Sequence, residues 1–180
     1  MNIAIIPARG GSKRIPRKNI KNFLGKPMIA YSIEAAIASE CFDKIIVSTD
    51  DFEISEVAIQ YGAEVPFIRP SNVSDDFSTT IDVIQHAIKE LGLADDVNIC
   101  CLYATAPFVT EKSLSEGLSL LSSCELDYAF SAAEFSFPIQ RAFRLNENKK
   151  VEMFQPEHFN TRSQDLENSY HDAGQFYWGK

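Results

Sequence analysis

Ile3 to Pro7 form a continuous apolar run near the N-terminus, without the polar alternation of a half-exposed strand. Such a run marks a strand covered on both faces, and the folds that supply two covers are mostly layered α/β sheets. The residues after it narrow the reading further. Between residues 3 and 27 there are seven cationic side chains (Arg9, Lys13, Arg14, Arg17, Lys18, Lys21 and Lys26) and no aspartate or glutamate. The whole chain holds 17 Lys plus Arg against 25 Asp plus Glu, for a formal net charge of −8. A block of cations in an acidic protein, directly after a buried strand and next to Gly10-Gly11-Ser12, reads as a cradle for a polyphosphate. The acidic remainder argues against general nucleic-acid binding, which needs a spread basic surface.

Strand and helix signals alternate through residue 132. A helix is expected from Pro27 to about Ser39, with proline in its first turn and Ile33, Ala36 and Ile37 on one face. Lys44 to Ser48 is a second buried strand. Asp50 or Asp51 caps a helix that stops at Gly62, and Glu64 to Ile68 reads as a short strand. Thr79 or Thr80 caps a helix carrying Ile81, Ile84, Ile88 and Leu91, which Gly92 closes. Val97 to Tyr103 is a third buried strand, Thr110 opens a helix with Leu114, Leu118 and Leu121, and Tyr128 to Ala132 is strand-like. Strands separated by helices of this length imply right-handed βαβ units, hence a doubly wound, mostly parallel, Rossmann-like sheet.

At 180 residues, 45% of them hydrophobic, the chain can bury one genuine core. The pattern sets residues 1–134 as a nucleotide-binding α/β core. Residues 135–173, rich in Phe, Pro, Asn and charge, read as an arm with strand-like pieces near Arg141 to Leu145 and Val151 to Phe154. Residues 174–180 read as a strand returning to the core, with a further C-terminal segment expected beyond Lys180. No apolar stretch approaches the roughly 20 residues of a membrane helix, and the N-terminus lacks the leader of a signal peptide. Cys41, Cys100, Cys101 and Cys124 show no CxxC pair, so reduced thiols of a cytoplasmic protein are expected.

The basic loop matches neither the GxxxxGK[ST] nor the GxGxxG spacing. Arg9 stands where a guanidinium fork can clamp two phosphate oxygens. Pro16 stiffens the loop ahead of Lys18 and Asn19 and lowers the cost of ordering it on binding. Asp50, Asp51, Asp75 and Asp76 read as caps and turns rather than metal ligands. His171 and Asp172 are neighbours on a strand whose side chains alternate, which disfavours an acid–base pair.

The stretch IPARGGSKRIPRKNIKNFLGKP resembles the nucleotide-binding signature of the sugar-acid cytidylyltransferases, which make CMP-activated nonulosonic and related acids from CTP. The resemblance continues through VSTDD (Val47 to Asp51), YGAEVPFIRP (Tyr61 to Pro70) and STTIDVIQHAI (Ser78 to Ile88). LYATAP (Leu102 to Pro107), where sialic-acid members typically have LQPTSP, and YHDAGQFYWG (Tyr170 to Gly179) are similar to the branch that activates pseudaminic acid.

The resemblance implies catalytic roles for Arg9 and Lys18. It implies nucleotide contacts from Arg9, Gly10, Gly11, Ser12, Lys13, Asn19, Arg69, Ser78 and Thr80. It assigns the sugar acid to Tyr103, Arg162, Asp172, Gln175 and Tyr177, with the acid carboxylate on Arg162. It further implies Mg²⁺ as cofactor, held by an aspartate pair beyond Lys180, and a homodimer made through the arm. Tyr103 in place of the glutamine of sialic-acid members points toward pseudaminic acid. The alternatives are N-acetylneuraminate, legionaminate or Kdo as acceptor, and a nucleotide-binding module without catalysis.

Overall fold

β1 (Asn2–Pro7) is paired on both sides within its sheet, and Ile3, Ala4, Ile5 and Ile6 are fully buried. The computed structural model describes residues 1–75, 77–123 and 126–180. Asp76 and Cys124 lie outside the described residues. Pro7 ends the strand because it has no N–H to donate; the ladder takes one more step through Ala8 N–H to the Ser48 carbonyl, 2.9 Å. A short hairpin comes next, β2 (Asn22–Phe23) against β3 (Lys26–Pro27), turning on Leu24 and Gly25, both at positive φ. That conformation favours glycine and is seldom adopted by leucine.

α1 (Met28–Ala38) starts with Pro27 as its N-cap and buries Ile29, Ala30, Ser32, Ile33 and Ala36. Ile37, expected on that face, is instead 47% exposed, because the buried stripe runs through 29, 33 and 36 and leaves 37 beside it. β4 (Lys44–Ser48) pairs in parallel with β1, and α2 (Phe52–Gln60) comes after it, capped by Asp51, whose carboxylate accepts from Ile54 N–H at 3.0 Å. The strand expected at Glu64 to Ile68 reduces to two isolated parallel bridges, Ile46 to Glu64 and Thr49 to Ile68. Pro66 sits between them and cannot donate to a ladder.

α3 (Thr80–Leu91) begins in a capping box. Thr79 Oγ1 accepts from Asp82 N–H, the Asp82 carboxylate accepts from Thr79 N–H, and Gly92 closes the helix at φ 60°. Its most buried residues are Val83 and Ala87. β5 (Asn98–Leu102) pairs in parallel with β1 on the side opposite β4. α4 (Glu111–Ser123) is opened by Thr110, whose hydroxyl accepts from Ser113 N–H, and leads to β6 (Tyr128–Glu134).

The chain divides into two compact units, residues 1–131 with 174–180, and residues 132–173. The second holds an antiparallel hairpin, β7 (Phe143–Leu145) with β8 (Val151–Met153), and several short 3₁₀ turns. Arg144 pairs with Glu152 at 3.2 Å and covers the Phe154 ring. Phe137, Phe143, Leu145, Val151, Phe154 and Phe159 are all more than half exposed.

β9 (Tyr170–Gly179) completes a five-stranded sheet in the order β4-β1-β5-β9-β6. It runs antiparallel to β5, with Leu102 opposite Phe176 and Ile99 opposite Gly179. The parallel part is thus β4-β1-β5, and the last strand enters beside it with reversed direction. Alternate residues of β1 feed two cores. Ile6 packs with residues of α1, α2 and α4 and with Trp178; Ile3 and Ile5 pack with Ala87 of α3, Ile46 and Val97. Helices therefore cover both faces, the doubly wound arrangement.

Cys41, Cys100 and Cys101 are free thiols, and burial pushes Cys101 up to about 12. Among the described residues no helix is long and apolar enough to cross a membrane.

Candidate active site

Parallel pairing brings the C-terminal ends of β1 and β4 together, so the basic loop after β1 must settle on the segment leaving β4. That segment carries Asp50-Asp51. Gly10 N–H donates to Asp50 Oδ1 at 2.8 Å, and Ser12 N–H to the Gly10 carbonyl at 3.0 Å. A Cβ on Gly10 would lie 2.6 Å from Asp51 Oδ2, so this position requires glycine, whereas a Cβ on Gly11 meets no described atom within 4 Å. Further along, the Arg17 guanidinium closes on Asp51 and Glu53. Lys18 to Ile20 form a 3₁₀ turn, and buried Asn19 donates to the Arg9 carbonyl at 2.9 Å. The loop is folded back on itself and anchored at both ends.

In front of the loop lies a cavity of about 810 Å³, a size suited to a small-molecule ligand. Arg9, Ser12, Lys13, Arg14, Lys18 and Asn19 line it from the loop side. Arg69, Ser74 and Asp75 line another wall, the α3 N-terminus contributes Ser78, Thr79 and Thr80, and the segment after β5 contributes Tyr103 to Thr105. Gly10 and Gly11 do not line it; they shape the loop.

Arg69 is 3% exposed, donating to Ser74 Oγ at 3.0 Å and the Ser48 carbonyl at 3.3 Å, with Asp50 at 3.9 Å. Burial lowers its pKa first, Asp50 opposes that, and repulsion from Arg9 lowers it further. Arg9 donates to the Asp75 carbonyl at 2.9 Å. Two guanidiniums that repel across one cavity are both stabilised by an anion placed between them. The first turn of α3 adds a helix N-terminus, whose dipole also favours negative charge.

A second cavity of about 490 Å³ adjoins on the sheet side of α3, lined by Ile81, Ile84 and Ile88 of α3, Ile99 and Cys101 of β5, and Tyr177 of β9. Thr80 and Tyr103 border both cavities, their hydroxyls 3.4 Å apart. The Tyr103 and Tyr177 rings lie 5.5 Å apart, and Tyr177 stacks on Phe130. Gln175 lines neither cavity; its carbonyl accepts from Tyr103 N–H at 2.9 Å.

Arg162 and Asp172 belong to the second unit. There Arg162 is closed in a two-pronged pair on Asp165, at 2.7 and 3.2 Å. His171 Nδ1 lies 2.9 Å from the Asp172 carbonyl and its ring meets Phe135 edge-on. That contact is to the backbone of Asp172, not its carboxylate.

The sequence counts Arg17 among the cradle cations and Asp50 as a cap or turn, whereas Arg17 closes on Asp51 and Glu53 and Asp50 accepts from Gly10 N–H; Ser74 is not singled out at all. A signal for Asp50 exists in the sequence: β1 and β4 are consecutive buried strands, so their ends adjoin. Asp51 is a cap, as expected. Asp75 closes a turn, accepting from Ser78 N–H and Oγ at 2.8 and 2.7 Å. No cluster of three or more His, Cys, Asp or Glu able to hold a metal occurs among the described residues. Asp75, the carboxylate on the cavity wall among the described residues, is engaged in that turn, so these residues do not by themselves form a metal cage.

A family model described as cytidylyltransferase matches residues 3–175. The pseudaminic acid cytidylyltransferase of Campylobacter jejuni is 53% identical over 180 residues, covering 99% of this chain and 78% of that protein. The CMP-N,N'-diacetyllegionaminic acid synthase of Legionella pneumophila is 38% identical over 120 residues, covering 66% of this chain and 52% of that one. Among solved structures, a CMP:2-keto-3-deoxy-manno-octonic acid synthetase complexed with CTP superposes with a TM-score of 0.71 at 17% identity. That superposition covers 99% of this chain and 73% of the other, and shows the shared fold. The chain belongs to the cytidylyltransferase family, a class of CTP-dependent nucleotidyltransferases.

Proposed function

We propose that this protein transfers CMP from CTP to a nonulosonic acid, with pseudaminic acid as the preferred acceptor, releasing pyrophosphate. The observation that carries the reading is the cation-lined cavity behind β1, in a chain 53% identical over 99% of its length to a pseudaminic acid cytidylyltransferase. The anomeric hydroxyl of the acid attacks the α-phosphorus of CTP in line. The new O–P bond forms as the bond to the β-phosphate bridging oxygen breaks; pyrophosphate leaves with that electron pair, and the hydroxyl proton is released.

Arg9, Lys13 and Lys18 hold the triphosphate and offset charge as the pyrophosphate departs, while Ser12 donates a hydroxyl hydrogen bond. Asn19, Arg69, Ser78 and Thr80 are the proposed contacts to ribose and cytosine, whose carbonyl and exocyclic amine suit hydroxyl and amide partners. Positioning supplies much of the rate, as in other phosphate-centred transfers. The acceptor is placed on the side of Tyr103 and Tyr177, where the apolar groove suits its methyl and acyl groups. Gln175 acts there through its backbone bond to Tyr103. Arg162 and Asp172 are proposed contacts to the acid, Arg162 exchanging Asp165 for the substrate carboxylate. Mg²⁺ is the proposed cofactor, since triphosphate oxygens are natural ligands for it; the steps described are carried by the chain's own cations. Reduced thiols at Cys41, Cys100 and Cys101 suit a cytoplasmic location.

Incubation with CTP, Mg²⁺ and equal concentrations of pseudaminic, legionaminic and N-acetylneuraminic acids is expected to release pyrophosphate and yield mainly CMP-pseudaminic acid by mass spectrometry. Preferential formation of another CMP-sugar would replace the acceptor, and no pyrophosphate with any of them would remove the reading.

The second unit is the proposed dimerisation arm. Phe137, Phe143, Leu145, Val151, Phe154 and Phe159 are all more than half exposed on it, and a second copy of the chain is the proposed cover. Sedimentation is expected to give twice the chain mass, and Phe143→Asp with Val151→Asp to give the monomer; a monomeric parent protein would refute the arm's role.

A further inference from the structure

The two ends of the basic loop stand on consecutive carboxylates. Gly10 is held by Asp50 and packed against Asp51; seven residues later Arg17 reaches Asp51 again and continues to Glu53. One prong of the fork is 2.9 Å from Asp51 Oδ1, and the other two contacts run to Asp51 Oδ2 and Glu53 Oε2. The backbone of Arg17 is left-handed, φ 54° and ψ 31°, a region that disfavours side chains other than glycine or asparagine. Glycine would hold this turn with less strain. Arginine at such a position is explained by what its head group does.

Three observations bear on what that is. The turn begun by Arg17 carries Lys18 and Asn19, both on the cavity wall, and Ile20 N–H closes it onto the Arg17 carbonyl at 3.1 Å. Asp51 lies directly behind Gly10, next to Arg9 in sequence and two residues from Ser12, so its charge stands beneath the loop's cavity-lining residues. The fork is partly solvent-exposed at 38%, and exposed ion pairs contribute little to global stability. A clasp of small stability value at a strained residue is better suited to positioning than to holding the fold.

We propose that Arg17 is a positioning residue for the nucleotide's phosphates. By closing on Asp51 and Glu53 it fixes the turn that presents Lys18 and neutralises the carboxylates behind the loop, a role that rests on the cytidylyltransferase reading above. Arg17 touches neither substrate; it acts through Lys18 and through the field beneath Arg9 and Ser12. Its effect therefore grows with the number of phosphates on the ligand. A general loosening of the fold would weaken every cytidine nucleotide alike.

Calorimetric titration of the full chain with CTP and with CMP separates these cases. Arg17→Gly, which removes the fork and relieves the backbone, and Arg17→Met, which keeps a long side chain and a non-glycine backbone, are the two variants. Both are expected to bind CTP about tenfold or more weakly, with CMP changed less than about threefold and the melting temperature nearly unchanged. Wild-type affinity for CTP in either variant overturns the inference while leaving the function standing. Equal losses for CTP and CMP also overturn it. Failure of the parent protein to bind CTP removes the function and the inference together.

Discussion

Arg9→Ala is expected to lower kcat/KM for CTP by roughly 100- to 1,000-fold, the range found when one preorganised donor to a developing negative charge is removed. Arg9 lies at the end of the most deeply buried strand, and its guanidinium faces the cavity that Lys13, Lys18 and Arg69 also line. Its guanidinium also donates to the Asp75 backbone carbonyl at 2.9 Å. Loss of Arg9 also lifts the repulsion it exerts on Arg69. Thermal stability should accordingly fall little, and the defect should appear in steady-state pyrophosphate release rather than in the melting curve. A rate within twofold of the parent would take Arg9 out of the site.

Trp178→Ala is expected to be the most damaging single change to stability, about 3–5 kcal/mol, as for other large aromatic truncations in cores. Trp178 is fully buried, stacks on Phe42 at 4.9 Å with nearly parallel rings, and donates its indole N–H to the Leu114 carbonyl at 3.1 Å. Gly117 is part of the same fit: a Cβ there would come within 2.8 Å of both Trp178 and Phe176. Alanine at 178 therefore leaves a void between α4 and the sheet and removes the indole's hydrogen bond to α4. Since domains of this size hold only about 5–15 kcal/mol in total, a large share of the margin would go. Urea denaturation followed by circular dichroism measures it, and an unchanged midpoint would show that the site repacks.

Much of the architecture is legible because buried strands announce themselves. Ile3 to Pro7, Lys44 to Ser48 and Val97 to Tyr103 are apolar runs, and helices following the second and third of them carry caps at Asp51, Thr79 and Thr110. Local signals fail where a distant partner or one overlooked residue decides the outcome. Pro66 interrupts the Glu64 to Ile68 segment, and Ile37 falls just outside the α1 stripe. The direction of β9 depends on pairing with β5, some seventy residues earlier in the chain, and neither segment records it. The cations that line the cavity can be read from their density behind β1. Arg17 cannot, because a charge count treats every cation as available, and only the fold shows that this one is committed to Asp51 and Glu53.

The sheet order has a consequence for how the protein is made. β6, the edge strand, neighbours β9, and β9 separates it from β5. During synthesis the β4-β1-β5 half emerges first and can zip together, but β6 must wait while the ribosome adds residues 135 to 179. Until then the outer edge of β5 and the slot for the indole stay open to water, an exposed seam of the kind chaperones recognise. Closure of that seam by β9 is a long-range event, so folding should be slower than local contacts alone would allow.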